Sequence, residues 1–355
     1  MTQVDAQHGK IRVAVLGAGG LGKAAARIIG MKRELSLRAI CDSHGIVSSS
    51  SADGLNGEML SRVSGGLVEG YRALHESGSS ASGGGVALAS EVEARSCDDP
   101  LGAILDMADE LDGIVVALPN LPNEFIPDVI ERFVQADSSL VFVDVLKRTR
   151  AVELMLALDP LVKRSRSVVM TGCGATPGML AAAAVLAAQS FIEVEKVDIW
   201  WGVGIANWEA YRATIREDIA HLPGYSVERA KAMTDAEVDT LLEGTNGLLE
   251  LRHMEHADDL LLQRVGVVEH FDQVEVGGVM DTRHPKKPVS TRMTLTGITF
   301  EGKRSSHTFI LGDETTMAAN VIGPALGYLK RGLWLKAQGI TGVFGCTEFL
   351  PMVVR

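Results

Sequence analysis

Two polar segments stand where predicted strands end, and both carry side chains suited to chemistry on a small molecule. Lys147 follows the predicted strand Leu140–Val145, within the run DVLKR, and Pro119 and Asn120 follow the predicted strand Gly113–Leu118. Open α/β sheets bind ligands at the carboxyl ends of their strands. We therefore expect Pro119 and Asn120 beside a bound cofactor. We expect Lys147 to be a catalytic acid whose pKa burial lowers towards neutrality. A solvated Lys-Arg pair and a plain Pro-Asn turn are the alternatives.

A glycine-rich turn, TGCGATPG from Thr171 to Gly178, follows the last strand of the first half. Glycines let the backbone pass close to a ligand, so Gly174 is a predicted cofactor contact. Pro177 and Gly178 are predicted substrate contacts at a hinge between domains. Cys173 is a conceivable thiolate nucleophile, with a small buried residue as the alternative.

The segment NWEAYRATIREDIAHLPGY, residues 207–225, has helical periodicity and an unusual pair of arginines. Arg212 and Arg216 are four residues apart, a spacing at which like charges repel by a few tenths of a kcal/mol. Guanidinium groups bind carboxylates through two parallel hydrogen bonds. Arg212 and Arg216, with His221 nearby, are therefore predicted to bind an acidic substrate. The alternative is a solvated surface on which Glu209 neutralises the pair.

A G-x-G-x-x-G motif lies between the predicted strand Lys10–Leu16 and the predicted helix Gly20–Gly30. Strand, glycines and helix in that order are typical of dinucleotide sites, where the helix N-terminus binds pyrophosphate. Asp42 ends the next strand, where a carboxylate would bond ribose hydroxyls. The predicted cofactor is NAD or NADP, and Asp42 slightly favours NAD because it would repel a 2′-phosphate. A glycine turn without nucleotide is the alternative. The motif's predicted ligands are Gly17, Gly19, Gly20, Leu21 and Gly22.

The predicted helices and strands that position these residues follow two different patterns along the chain. Strands alternate with helices as far as residue 171, which indicates βαβ units and a parallel sheet. After Pro177, the segments Asp272–Thr282, Val289–Phe300 and Arg304–Leu311 read as strands, the last two joined by a hairpin turn. The predicted fold class is α/β, with a Rossmann dinucleotide-binding domain over residues 1–176. A second α+β domain over residues 177–314 is built on an antiparallel sheet.

Composition and net charge limit the classes of protein to which the chain can belong. The chain has 355 residues, 46% of them apolar, and a net charge of −11 without a long basic run. These values fit a globular protein of two domains that binds no nucleic acid. The apolar run MLAAAAVLAA is too short to span a bilayer and no secretory signal is visible, so we expect a cytoplasmic or organelle-stroma protein without membrane contact. Four cysteines without CxxC, and a HMEHADD segment typical of a charged helix surface, predict no metal site.

Three segments carry a family resemblance: TGCGATPG, GDETTMAANVIGPALGYLKRG and GVFGCTEFLP. With them and the glycine motif, the chain resembles the saccharopine dehydrogenase-like oxidoreductases, most closely at its two ends and central turn. The resemblance implies that residues 315–355 return to the Rossmann domain. It also implies NAD(P)-dependent chemistry at a C–N bond of an amino-acid-derived substrate carrying a carboxylate, either imine reduction or secondary-amine oxidation. We further expect a homo-oligomer, most simply a homodimer.

Other functions stay open at this point. The ALPN and DVLK segments resemble the glucose-fructose oxidoreductase-like group at Pro119, Asn120 and Lys147. That likeness implies a sugar or polyol dehydrogenase with Lys147 as base. Acyl reduction through a Cys173 thioester is a third hypothesis. A non-catalytic dinucleotide sensor is a fourth, since Rossmann folds do not dictate function.

Overall fold

The computed structural model describes residues 9–81, 91–120, 122–205, 208–313 and 315–355. Its strands, in chain order, are β1 (Ile11–Leu16), β2 (Leu35–Cys41), β3 (Gly45–Ser49), β4 (Val92–Ser96), β5 (Gly113–Val116), β6 (Val141–Asp144), β7 (Val168–Thr171), β8 (Phe191–Gly204), β9 (Leu248–Leu251), β10 (Val274–Asp281), β11 (Arg292–Thr299), β12 (Arg304–Ile310) and β13 (Gly342–Gly345).

The α-helices are α1 (Gly20–Gly30), α2 (Gly57–Ser61), α3 (Leu67–Ala81), α4 (Pro100–Leu105), α5 (Phe125–Gln135), α6 (Thr149–Ala157), α7 (Asp159–Arg164), α8 (Met179–Ala188), α9 (Arg212–Ile219), α10 (Val227–Ala232), α11 (Asp235–Gly244), α12 (Asp258–Arg264) and α13 (Met317–Ala337). Short 3-10 turns cover Ala108–Glu110, Trp208–Tyr211 and Phe271–Gln273.

The larger sheet has the strand order β13-β7-β6-β5-β1-β2-β3-β4. The first six strands in this order run parallel, and β3 and β4 are antiparallel additions at one edge. Strands β5, β6 and β7 are buried throughout, as strands covered by helices on both faces require. The chain runs outwards from β1 in both directions, which makes the β1–β5 crevice a topological switch point. The Rossmann prediction is confirmed.

The smaller sheet has the order β12-β11-β8-β10-β9. Its pairings are antiparallel except one: β10 lies parallel to β8 over its whole length. An α+β layer on a predominantly antiparallel sheet is confirmed, and the parallel pair corrects the expectation of a purely antiparallel one. A parallel partner needs a long connection, and the connection from β8 to β10 holds α9 to α12. This connection brings the predicted arginine segment to the site.

The helices predicted from the sequence differ from the observed helices mainly where a glycine or proline interrupts the apolar pattern. A single helix over residues 58–75 is predicted, but α2 and α3 are separate because Gly65 has φ +72° between them. The predicted helix 208–222 starts as a 3-10 turn and continues as the shorter α9. The capping box at Thr234 and Glu237 is present and starts α11. The Ser/Gly-rich stretch 77–85 is predicted to be a surface loop, but residues 77–81 belong to α3, and residues 82–85 lie outside the described residues. The domain boundaries at residues 176 and 314 stay predictions.

Candidate functional site

The glycine loop packs tightly at the switch point. Gly17 has φ +101°, and a Cβ built there would lie 2.4 Å from the Ala117 carbonyl oxygen. A Cβ at Gly22 would lie 1.8 Å from the Gly17 carbonyl oxygen. Gly19 differs, because a Cβ there meets nothing within 4 Å. Gly17 and Gly22 therefore allow loop, strand and helix to pack closely, whereas Gly19 faces open space beside the N-terminus of α1.

A cleft of about 670 Å³, here called the large cleft, lies in front of this loop. Its size is typical of a small-molecule site. The sequence-predicted residues that line it are Gly17, Gly19, Gly20, Leu21, Asp42, Pro119, Asn120 and Arg212. Gly22 lies behind the loop and shapes it. The predicted cofactor ligands thus converge on one surface, apart from Gly22 and Gly174.

Backbone groups hold Asp42 in place at one end of the large cleft. Its Oδ1 accepts hydrogen bonds from the N–H groups of His44 at 2.9 Å and Gly45 at 3.0 Å. Its Oδ2 accepts one from the N–H of Leu67 at 2.9 Å. Each oxygen has two lone pairs, so the carboxylate is fixed in orientation and can still accept a hydroxyl.

A second space of about 170 Å³, here called the small cavity, adjoins the large cleft. The two share Leu21, Asn120, Val145 and Tyr211. The remaining apolar lining includes Trp201, Met254, Met280, Leu311 and Val321. Its polar lining comprises Lys147, Thr176, Asp218, His256, Thr291 and Asn320. An apolar space with few polar groups is the usual form of a small-molecule site.

Lys147 lies at the wall of the small cavity in a buried ion triad. Its Nζ is 2.7 Å from Asp218 Oδ1 and 3.3 Å from Glu217 Oε2, and the two carboxylate side chains are 2% and 3% exposed. Burial favours the neutral amine, but the charges and hydrogen bonds of Asp218 and Glu217 outweigh it and raise the pKa of Lys147 above its ordinary value. The expectation of a pKa near neutrality is therefore wrong. The two contacting carboxylates favour the ammonium form of Lys147.

The end of β6 is held by its own carboxylate. Asp144 Oδ1 accepts hydrogen bonds from the Thr171 hydroxyl and from the N–H groups of Gly172 and Leu146, at 2.9–3.0 Å. Burial raises the pKa of Asp144 to about 6. These hydrogen bonds connect the loop that carries Lys147 to the turn after β7. Both segments therefore lie side by side in the wall of the small cavity.

The two arginines have separate positions. Arg212 lines the large cleft, whereas Arg216 lies outside the described lining of both spaces. Asp235 forms an ion pair with each of them, at 2.9 Å from Arg212 and 2.6 Å from Arg216. Arg216 also donates to the Met233 carbonyl oxygen at 3.1 Å. Arg216 is thus paired with a carboxylate of this chain, Asp235, and does not line the small cavity. The side chain of Glu209 lies outside the described residues.

His221 lies close to the ion triad but outside the described lining of the small cavity. Burial, then the positive charges of Lys147 and Arg148, lowers the pKa of His221 to about 4. The imidazole is therefore neutral at physiological pH. A neutral ring carries no positive charge with which to bind the substrate carboxylate, although the sequence-based prediction for His221 requires one.

The turn after β7 contributes its glycine end to the cavity. Gly174, Ala175 and Thr176 line the small cavity, which places Gly174 there and not at the large cleft. Pro177 and Gly178 are buried behind them, and a Cβ at Gly178 would lie 1.8 Å from the Gly174 carbonyl oxygen. They shape the turn and do not line the cavity. The Cys173 side chain is fully buried, and burial raises the pKa of its thiol well above the usual value. A Cys173 thiolate nucleophile is therefore not supported.

Sequence reasoning missed a buried histidine–aspartate pair. His256 lines the small cavity and is 3% exposed, with Nδ1 2.7 Å from Asp258 Oδ2. Asp258 is fully buried and accepts a 2.6 Å hydrogen bond from the Thr176 hydroxyl. The N–H of Ala257 donates to the Lys147 carbonyl oxygen at 2.8 Å, which fixes the pair beside Lys147. The HMEHADD pattern looked like a solvated helix surface, and only the apolar periodicity after it pointed to burial. No metal-binding cluster occurs among the described residues.

Comparison with solved structures defines the class of fold. The diaminopimelate dehydrogenase of C. glutamicum, solved with diaminopimelate, superposes with a TM-score of 0.55 at 16% identity, covering 96% of this chain and 94% of that one. An engineered D-amino acid dehydrogenase bound to NADP+ gives 0.54, also at 16% identity and with the same coverage. At this identity the likeness concerns the fold alone.

One sequence relative identifies the family. The chain is 42% identical over 352 residues to the (S)-8-amino-7-oxononanoate synthase BioU of Haloferax mediterranei, which covers 96% of this chain and 99% of the relative. The chain therefore belongs to the BioU family of enzymes. None of the known family models matches it.

This membership corrects the functional prediction. A saccharopine-type enzyme acting on a C–N bond of an amino-acid-derived substrate is wrong, because the family relative is named for 8-amino-7-oxononanoate. The dehydrogenase alternative, built on Pro119, Asn120 and Lys147, agrees better with the fold and its relatives. The sensor hypothesis loses support because the relative is an enzyme. In the described part of the chain, no helix is long and apolar enough to cross a membrane.

The glycine loop supports a paired test. Gly22→Ala should lower the free energy of unfolding by about 1–3 kcal/mol or more, because the new Cβ overlaps the Gly17 carbonyl. Gly19→Ala should leave it within about 0.5 kcal/mol, because Gly19 has φ −71° and open space, yet should weaken nucleotide binding. Urea unfolding and calorimetric titration measure both. Equal stability of the two variants would contradict the assigned geometry.

A pH series tests the environment of His221. The lowered pKa means that the unfolded chain binds this proton before the folded protein does. The free energy of unfolding should therefore fall as the pH drops from 6.5 towards about 4. His221→Gln should make that fall smaller by removing its contribution. Parallel pH profiles for parent and variant would show that His221 is not shielded as described.

Proposed function

We propose that this chain is a nicotinamide-dinucleotide-dependent enzyme that makes (S)-8-amino-7-oxononanoate. The observation that carries the proposal is the small apolar cavity, with the charged Lys147 in its wall, opening beside a dinucleotide-sized cleft. The compound is taken from the name of the 42% identical relative. The cofactor class is taken from the glycine loop and from the fold.

The large cleft would hold the dinucleotide. Gly19 and Gly20 would present the N-terminus of α1 to the pyrophosphate, and Asp42 would accept the ribose hydroxyls. Because three backbone N–H groups fix Asp42, it would not swing away from a 2′-phosphate, and we propose NAD as the preferred form. Pro119 and Asn120 would flank the nicotinamide, where the large cleft meets the small cavity.

The small cavity would hold the substrate. The compound's name describes a nine-carbon chain with a carboxylate at one end and adjacent oxo and amino groups near the other. Its unbranched methylene segment suits the lining of Trp201, Met280 and Leu311, since burying each CH₂ contributes about 0.8 kcal/mol. The oxo–amino end would then lie near Lys147 and the nicotinamide.

NAD+, when bound, would accept a hydride from C7 of the corresponding 7-hydroxy compound while the hydroxyl loses its proton, which gives the 7-oxo group, and NADH would supply the hydride for the reverse step. Lys147 would stabilise the negative charge that develops there. A cation that is already held in position stabilises such a charge well, because the site does not have to reorganise during the reaction. The raised pKa of Lys147 makes it a poor proton donor at neutral pH. His256 is the better candidate for moving the proton, because its ring lies in the cavity wall with Nδ1 2.7 Å from the Asp258 carboxylate.

The function itself is tested with purified protein, NAD(H) or NADP(H), and the (S) compound in both reaction directions. We expect a change in nicotinamide absorbance that matches formation or loss of the compound by mass spectrometry. The (R) enantiomer is the control and should react much more slowly. No conversion with either cofactor, from protein that binds cofactor, would contradict the proposal.

His256 gives a sharper catalytic test. His256→Gln should lower kcat about a hundredfold or more and leave the Kd for NAD(H) unchanged, because the ring lines the small cavity and not the large cleft. His253→Gln is the matched control, since that ring is 78% exposed. A His256 variant with parental kcat at every pH would exclude the histidine from proton transfer.

Arg212 is proposed as a cofactor ligand. Among the described residues lining the large cleft it carries the single cationic side chain, alongside the carboxylates of Asp42, Asp98, Asp99 and Glu217. Arg212→Ala should weaken NAD(H) binding roughly tenfold. Arg216→Ala, which removes the other partner of Asp235, should leave the Kd unchanged. Equal losses in both variants would show that the effect comes from α9 as a whole.

An apolar groove supports the predicted homo-oligomer. It runs between α8 and the β11–β12 hairpin, where Leu186 is 59%, Phe309 40% and Leu350 48% exposed. A second copy would cover such a surface. The homo-oligomer and the cytoplasmic location stay predictions.

A further inference from the structure

The ion triad carries an unbalanced charge. Lys147 brings one positive charge to two carboxylates, Glu217 and Asp218, each at most 3% exposed. One buried negative charge is therefore left over. Burying an unpaired charge is costly, so a protein that keeps such an arrangement usually uses it.

The spare charge has an identifiable atom. Glu217 Oε2 contacts Lys147 and accepts a 3.2 Å hydrogen bond from the Asn120 side-chain amide. Glu217 Oε1 is buried and has no hydrogen-bond partner among the described residues. Glu217 lines the large cleft, whereas Lys147 and Asp218 line the small cavity. The free oxygen thus belongs to a residue at the boundary of the two spaces.

The neighbouring cations are engaged elsewhere. Arg148 lies 2.5 Å from Glu255 and donates to Asn123. Arg212 and Arg216 share Asp235. His221 is held neutral by burial and by the adjacent positive charges, as its lowered pKa shows. None of these described groups forms a hydrogen bond with Glu217 Oε1.

We infer that Glu217 binds the protonated amino group of the amino ketone. The inference rests on the proposed function, because it takes the compound class from there. An ammonium donates short, strong hydrogen bonds to a carboxylate and would complete the charge balance of the triad. The amino and oxo carbons are adjacent in this compound class. Anchoring the ammonium at Glu217 would therefore direct the oxo group towards Lys147.

This assignment makes Glu217 a specificity residue. A substrate that lacks the amino group would leave Glu217 Oε1 unpaired, and a site built for a polar group discriminates strongly against analogues without it. The alternative hydrogen-bond partners of Glu217 Oε1 are a ribose hydroxyl and the carboxamide of the nicotinamide. That alternative predicts a different variant phenotype.

The test is calorimetric binding of (S)-8-amino-7-oxononanoate and of 7-oxononanoate, which has no amino group, to the protein loaded with NAD+. Glu217→Gln should weaken binding of the amino compound roughly ten- to a hundredfold and leave binding of 7-oxononanoate unchanged. Glu217→Asp, which keeps the charge but retracts it, should give a smaller loss of the same selectivity. It serves as the test variant if Glu217→Gln does not fold.

The control is Glu255→Gln, which removes a nearby negative charge that faces Arg148 and should not alter the selectivity between the two compounds. Equal weakening of both compounds by Glu217→Gln would overturn the inference, as would loss of NAD+ binding with selectivity intact. A parent protein that binds neither compound would instead refute the proposed function. The two failures are thus distinguishable.

Discussion

The contact of Lys147 with Asp218 and Glu217 is the interaction on which the site depends. It joins the end of β6 in the parallel sheet to α9, which belongs to the long connection between β8 and β10. Removing one member of a buried ion pair typically costs about 3–5 kcal/mol, because a charge stays behind without a partner. The same contact therefore closes the small cavity, holds Lys147 protonated and sets the orientation of α9.

The rest of the site follows from how that contact is supported. Asp144 fixes the loop before Lys147 to the turn after β7, and the N–H of Ala257 fixes the segment that holds His256 to the Lys147 carbonyl. Cation, histidine–aspartate pair and glycine turn are thus positioned by hydrogen bonds to one short stretch of backbone. The large cleft is built mainly from the β1–β5 crevice and the glycine loop, and Tyr211, Arg212 and Glu217 from the β8–β10 connection complete its lining.

The sequence allowed the dinucleotide half of the site to be predicted because its signals are local. A strand, a spaced glycine motif, a helix and an acid some twenty residues later act within one βαβ unit. The small cavity could not be predicted in this way. Lys147 and Asp218 are 71 residues apart, and periodicity indicates which face of a helix is apolar, not which partner a charge meets. Arg216 was assigned to a substrate for that reason, although it forms an ion pair with Asp235. His256 was passed over because its partners Thr176 and Asp258 meet only in the folded chain. The saccharopine resemblance rested on glycine turns, which report the fold and not the substrate.

The central claim is that one site combines a nicotinamide ring in the large cleft with an amino ketone in the small cavity. A crystal structure of the protein with NAD+ and (S)-8-amino-7-oxononanoate tests it most directly. The account predicts the nicotinamide C4 beside Asn120, about 3.5 Å from a carbon of the oxo–amino end, with Lys147 and His256 around that end. A compound bound outside the small cavity, or a nicotinamide turned away from it, would contradict the account.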